Sequence, residues 1–248
     1  MRRSASGEEP GIAVHGIFKT EKTFRRLWLG AAIASVIATP ALGGPPYVTD
    51  DPEPTVAGET ESYTFTEGAF ARSPHNETQS GFEINYGAMP DVQLNVELSV
   101  GHDSWHAATG IKYRFLEEKG DTPQASFYPA IEIGSGETHV LLPVWIAKSF
   151  GGWTAFGGGG YSLNNGRGQR NTWFGGAALT RTIHNDLSLG GEVYGETADT
   201  MGESGRIGVR AGLTQALGEH FALLASFGPE FESGEVRAAY YIAAGWHG

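Results

Sequence analysis

The chain of 248 residues has no cysteine and, beyond its first fifty residues, no apolar run of about 20 residues. The missing thiols exclude cysteine nucleophiles and disulfide scaffolding. The missing runs exclude helical membrane spans from the same stretch. Basic residues are also scarce. Residues 44–248 hold 11 Lys and Arg against 25 Asp and Glu, a net charge of −14. That balance argues against nucleic acid as a partner. Acids lining a water-filled passage would favour cations over anions.

The continuous apolar segment is Leu27 to Leu42, preceded by Lys22, Arg25 and Arg26 and closed by the small-x-small triplet Ala41-Leu42-Gly43. It reads as a secretory signal peptide occupying residues 1–43 and cleaved after Gly43. The alternative is a membrane anchor, but Ser35, Thr39 and Pro40 interrupt a segment already short of the roughly 20 residues a span needs. Arg25-Arg26 partly matches a twin-arginine signal. Next comes Gly44-Pro45-Pro46-Tyr47-Val48-Thr49-Asp50-Asp51-Pro52-Glu53-Pro54, whose prolines exclude helix and central strand alike. Residues 44–58 therefore read as an extended, proline-rich periplasmic leader.

The remainder is organised around Val92 to Val100. Val92, Leu94, Val96, Leu98 and Val100 alternate with Gln93, Asn95, Glu97 and Ser99, which is the two-residue period of a strand. The same pattern gives twelve segments: 60–69, 80–88, 92–100, 108–116, 124–134, 138–148, 153–163, 172–182, 187–197, 205–215, 221–229 and 235–246. Each is close to the roughly 9 to 11 residues of a tilted transmembrane strand, and longer than the 5 or 6 usual in globular sheets. An even number of strands, with short turns on one side and longer loops on the other, fits a single antiparallel barrel in the outer membrane of a Gram-negative bacterium.

In such a barrel the apolar positions face lipid and aromatics mark the two interfaces. Tyr86, Phe115, Trp153, Phe221 and Trp246 form one expected girdle near the turns. Phe70, Tyr161, Trp173 and Phe227 form the other. The charged residues inside strands fall on the opposite face: Glu97, Lys112, Arg114, Glu132, Glu192, Glu196, Arg206, Arg210 and Arg237 should line the lumen. Facing residues of an antiparallel pair have numbers of constant sum, and one register places Glu192 opposite Arg210 and Glu196 opposite Arg206. By the same logic Glu97 should face Lys112 or Arg114. Such pairs either fill a narrow lumen or screen solutes in it.

No catalytic constellation emerges. His102, Asp103, Ser104 and His106 crowd one loop without an orienting spacing, and the other histidines are scattered. Gly157 to Gly160 and Gly166-Arg167-Gly168 lack the strand-to-helix context of a phosphate loop. No metal or cofactor is implied.

The leader, with Glu83-Ile84-Asn85-Tyr86-Gly87-Ala88-Met89-Pro90-Asp91-Val92-Gln93-Leu94, Gly110 to Phe115, Gly157 to Tyr161 and Gly190 to Tyr194, resembles the transporter-like outer-membrane family named for the meta-cleavage pathway of phenol degradation. The resemblance covers nearly all of the chain after residue 43. It implies an outer-membrane barrel involved in uptake of aromatic or other apolar compounds. The C-terminus departs from the pattern, because Trp246 is followed by His247-Gly248 where barrels commonly end on an aromatic. The expected function is a passive channel or carrier for a small solute. Its partners would be outer-membrane lipids and the machinery that assembles barrels. A filled barrel with a structural or surface role, a lipid-modifying enzyme and a soluble all-β protein are the alternatives.

Overall fold

The computed structural model describes residues 45–71, 76–166, 168–184 and 186–248, and the segment read as a signal peptide lies outside them. Thirteen strands follow in order: β1 Thr60–Phe70, β2 Glu77–Met89, β3 Val92–Gly101, β4 Trp105–Leu116, β5 Gln124–Phe127, β6 Ala130–Gly134, β7 Glu137–Phe150, β8 Trp153–Asn164, β9 Thr172–His184, β10 Leu187–Glu196, β11 Arg206–Ala216, β12 Phe221–Glu232 and β13 Glu235–His247. β5 and β6 both lie between β4 and β7 and are two halves of one stave. Tyr128-Pro129 separates them, and Pro129 has no N–H to give to a ladder. The staves therefore number twelve. Each pairs antiparallel with its sequence neighbours, and β1 pairs with β13 from Glu61↔His247 to Phe70↔Ala238. Thr60 and Gly248 tie the seam with two backbone hydrogen bonds of 2.8 and 3.0 Å. The sheet has closed into a barrel with no free edge.

The closed sheet is inside out relative to a soluble protein. In β3, Val96 and Leu98 are 50% and 57% exposed while Asn95, Glu97 and Ser99 are buried. The same polarity runs round the barrel, through Ile111, Ile131, Ile146, Leu179, Val209 and Ile242 outside and Lys112, Glu132, His139, Glu192, Arg210 and Arg237 inside. An apolar exterior over this much of the barrel has no place in water and suits hydrocarbon; β1 departs from it, presenting Ser62, Thr64, Thr66 and Gly68 on the outer face. Tyr86, Phe115, Phe221 and Trp246 stand exposed near the turn ends of their strands. Trp153 joins them with the guanidinium of Arg181 5.1 Å from its ring, an apolar body with a charged tip as an interface favours. Towards the loop end, Phe70 stacks on Tyr240 at 5.1 Å, and Tyr161 meets Trp173 tilted, their ring centroids 4.8 Å apart. Phe227, also exposed, sits nearer the strand centre.

The connections are less asymmetric than the sequence suggests. Strand pairing continues into Gly101, Trp105 and Glu230 to Glu232, so β3–β4 and β12–β13 are joined by 102–104 and 233–234 alone. Ser233 and Gly234 take φ of 50° and 82°, the left-handed pair that a two-residue hairpin requires. Polar residues read as loop in the sequence thus extend the inner wall.

Candidate functional site

The lumen holds the leader. Residues 45–56, expected in the periplasm, run into the barrel from the turn end and cross to the opposite wall. Thr55 begins the path, its N–H and hydroxyl both donating to Gln93 Oε1 at 2.8 and 3.1 Å. Gln93 is fixed in turn by donating to Asn85 Oδ1 at 2.7 Å. Deeper, Lys112 Nζ meets Asp50 Oδ1 at 3.0 Å and the Asp51 carbonyl at 2.9 Å. Both charged side chains are almost fully buried. On the far wall, Glu192 receives the N–H groups of Val48 and Thr49 at 3.0 and 2.9 Å, one on each carboxylate oxygen. Ser226 Oγ donates to the Pro46 carbonyl at 2.6 Å. The backbone groups that proline-rich chain cannot satisfy within itself are therefore met by the wall.

The wall is also shaped for this segment. A Cβ on Gly190 would stand 2.6 Å from the Tyr47 hydroxyl, and one on Gly212 2.7 Å from its ring. Both glycines point inward, and their missing side chains make the seat of Tyr47. Tyr47 is pushed up to about 12 by burial and then by Glu192, so it stays neutral. Burial pushes the Asp50 carboxyl from 3.8 up to about 7 against the pull of the Lys112 ammonium.

At the turn end Arg114 bridges Asp91 and Glu53, both at 2.7 Å. At the loop end Arg237 gathers Glu230 at 2.7 Å, Glu232 at 3.0 Å and Glu77 at 3.3 Å. Tyr194 donates to the second oxygen of Glu230 at 2.7 Å. The lumen is thus a stack of an ionic rim, the leader and an ionic outer layer.

The β10–β11 register places Glu192 opposite Arg210 and Glu196 opposite Arg206. Only the second pair closes as an ion pair, at 3.0 Å. Glu192 is taken by the leader, and Arg210 lies over the Tyr194 ring at 4.9 Å instead. Glu97 faces Ala108 on β4 and Glu83 on β2, not Lys112 or Arg114. The three-residue β3–β4 link fixes that register, and Lys112 is opposite Gln93. Glu132 is buried between Ala108 and His139. The structure adds Glu230, which sequence reasoning missed although it faces Arg237 across the tight β12–β13 hairpin.

His102 and Asp103 are almost fully exposed, whereas His106 is buried on the inner face of β4. They form no constellation. Among the described residues, no cluster of His, Asp and Glu is arranged to hold a metal.

Neither a protein-family model nor a curated protein matches the chain. Solved structures do. The COG4313 outer membrane channel from Pseudomonas putida F1 superposes with a TM-score of 0.60 at 10% identity, over 79% of this chain and 96% of the other. The KdgM porin gives 0.57 at 11%, over 74% and 98%. The translocator domain of the autotransporter NalP from Neisseria meningitidis gives 0.56 at 12%, over 77% and 89%. What they share with this chain is the fold. It is the twelve-stranded barrel of outer-membrane proteins.

Proposed function

We propose that the chain is an outer-membrane channel for small solutes, closed in the described state by its own leader. One observation carries this reading: a barrel that is apolar outside and polar inside, whose lumen is crossed by a separate, extended segment and not by its own wall side chains alone. A lumen that only needed filling could be closed by side chains. A segment anchored through a few polar contacts can leave.

The lumen chemistry supports a solute class. Acids outnumber basic groups along the inner wall, so cations and neutral molecules should pass in preference to anions. Tyr63, Phe65, Tyr128, Trp145 and Tyr194 also point inward, offering ring faces to an aromatic solute. KdgM, crystallised with disordered oligogalacturonate, handles a polyanion that this wall would repel. The resemblance to the phenol-pathway family points the same way, towards small aromatic compounds. The proposed setting is the outer membrane of a Gram-negative bacterium, with lipids and the barrel assembly machinery as partners.

Bilayer recordings on protein lacking residues 45–56, under a salt gradient, test the reading. The expected reversal potential has the sign of cation preference, and small aromatic solutes should enter proteoliposomes. An open but anion-selective pore would refute the assignment of solute class. Absence of any conductance would favour the second reading, a filled barrel with a structural role, which the buried leader also supports.

A further inference from the structure

On the loop side of the leader lies a cavity of about 10 Å³, the scale of one water-sized group. Its wall includes Glu67, Glu83, Glu97, Arg210 and Tyr241, with Pro45 of the leader on one side. Strand register sets Glu83 directly opposite Glu97 on the inner face. Side chains so paired start about 4.5–5.5 Å apart at Cβ, and like charges there repel unless something is held between them. Glu97 is 3% exposed and, among the described residues, no hydrogen bond or ion pair is made to its carboxylate. Glu83 is held through one oxygen alone, which accepts the side-chain amides of Asn85 and Asn95, each at 2.9 Å. Tyr241 adds a group of a different kind. It is 8% exposed, with its ring stacked on Phe65 at 5.7 Å. Its hydroxyl lies among Glu67, Glu83 and Glu97 without a hydrogen-bond partner. Arg210, the single cation of this wall among the described residues, lies over the Tyr194 ring at 4.9 Å. Buried acceptors left without a donor are costly.

Towards the turn end a larger cavity, of about 90 Å³, shares Glu83 and Pro45 with the first. Asp51 and Glu61 also line this second space, as does Glu53, which is exposed at the rim. Acids thus mark a route from the rim to Glu83 and Glu97. We infer that these two carboxylates and the Tyr241 hydroxyl form a binding site for a small N–H cation, either ammonium or the head group of a small primary amine. Both spaces exist with the leader seated, so the site does not require the channel reading. A bare divalent ion asks for about six to eight oxygens, and among the described residues no cluster of His, Asp and Glu is arranged to hold one. An N–H cation is content with fewer acceptors because its donors are directed. The three donors of a primary ammonium match one oxygen from each carboxylate and the tyrosine oxygen, in short charge-assisted bonds. Volume sets the size of the guest. Ammonium alone fills the inner space, and a primary amine would lay its carbon chain back into the outer one.

The test titrates the full-length chain, folded in detergent micelles at neutral pH, with isotope-labelled ammonium chloride followed by proton–nitrogen correlation spectra. A resonance distinct from free ammonium should appear and saturate. Glu97→Gln should weaken binding by about 10-fold or more, the loss expected for one charge-assisted bond. Tyr241→Phe, which keeps both carboxylates, should weaken it several-fold. Heat-modifiable migration checks that each variant is folded. Ethylammonium chloride separates the two sources: displacement at or below the ammonium concentration assigns the site to primary amines, and no displacement assigns it to ammonium itself. Potassium and tetramethylammonium chlorides carry no N–H and should compete at least ~10-fold less well, by the same loss of directed bonds. Absence of saturable binding, as when the two carboxyls share a proton instead, would overturn the inference. So would equal competition by potassium, or full affinity retained in both variants. None of these readouts depends on conductance, so the channel reading stands or falls separately.

Discussion

Replacing Lys112 with alanine is expected to turn a closed barrel into a conducting one. Lys112 and Asp50 are 6% and 2% exposed at their side chains and 3.0 Å apart, so little solvent screening discounts the pair. Removing one partner of such a pair costs about 3–5 kcal/mol. At 1.4 kcal/mol per factor of ten, that shifts the leader from seated towards unseated by about two to three and a half orders of magnitude. The strands keep their ladders in the variant, so heat-modifiable migration should be unchanged while open probability in bilayers rises. The pH dependence follows from Asp50. Its carboxyl is raised on seating from 3.8 to about 7, burial being the larger cause. A raised carboxyl stabilises the seated state fully below its free value and loses that contribution as pH rises through about 7. Wild-type conductance should therefore increase from about pH 4 to pH 8, and Lys112→Ala should have its largest effect at the alkaline end, where Asp50 is charged and unpaired. A conductance independent of both pH and Lys112 would mean that the leader does not control the lumen.

The second large effect concerns the outer face. Val96 stands at the middle of β3 and is 50% exposed, which places it against the centre of the hydrocarbon. Val96→Arg should destabilise the folded barrel in lipid vesicles by about 2–4 kcal/mol, and Val100→Arg, near the loop end of the same strand, by only about 0–1 kcal/mol. Both sites are exposed, so in a soluble protein both substitutions would be close to neutral. Depth dependence is the signature of lipid. Denaturant titration of the two variants, with folding followed by gel mobility, gives the comparison. Equal and small effects would show that the apolar face does not meet a membrane.

Much of this architecture was legible in the sequence because two-residue periodicity records directly which face of a strand meets oil. Val92 to Val100 reads correctly with no other information, and the constant-sum rule gives the Glu192–Arg210 and Glu196–Arg206 register. It fails for Glu97, since the rule needs the turn length, and the run His102-Asp103-Ser104 gives no sign that pairing resumes at Trp105. The break at Tyr128-Pro129 was available from Pro129 alone. The site was far less legible. Periodicity describes a wall and says nothing about what occupies the space inside it, so an extended leader with no pattern of its own reads as an appendage. The faint signals were chemical: the acidic run Asp50-Asp51-Pro52-Glu53 answers Lys112 and Arg114 in charge, and Gly190 and Gly212 leave room for a ring. Neither can be matched to the leader until the barrel closes and brings those walls within its reach. The same closure explains why the Glu192–Arg210 pair, correct in register, is not an ion pair: the leader competes for Glu192 with two backbone N–H groups.

Seating of the leader can be measured in the membrane itself, because the chain has no native cysteine to confuse the result. Thr55→Cys and Gln93→Cys replace two side chains now in direct contact, one on the leader and one on the wall. In intact outer membranes a short bis-methanethiosulfonate, each end forming a disulfide with one cysteine and releasing methanesulfinate, should join them within one chain, giving a crosslinked barrel that stays closed even in the Lys112→Ala background and opens when the link is reduced. If the two cysteines fail to join, and the Thr55→Cys thiol reacts with a bulky periplasmic reagent as fast as in unfolded protein, the leader lies outside the barrel and the account of a self-closed lumen is wrong.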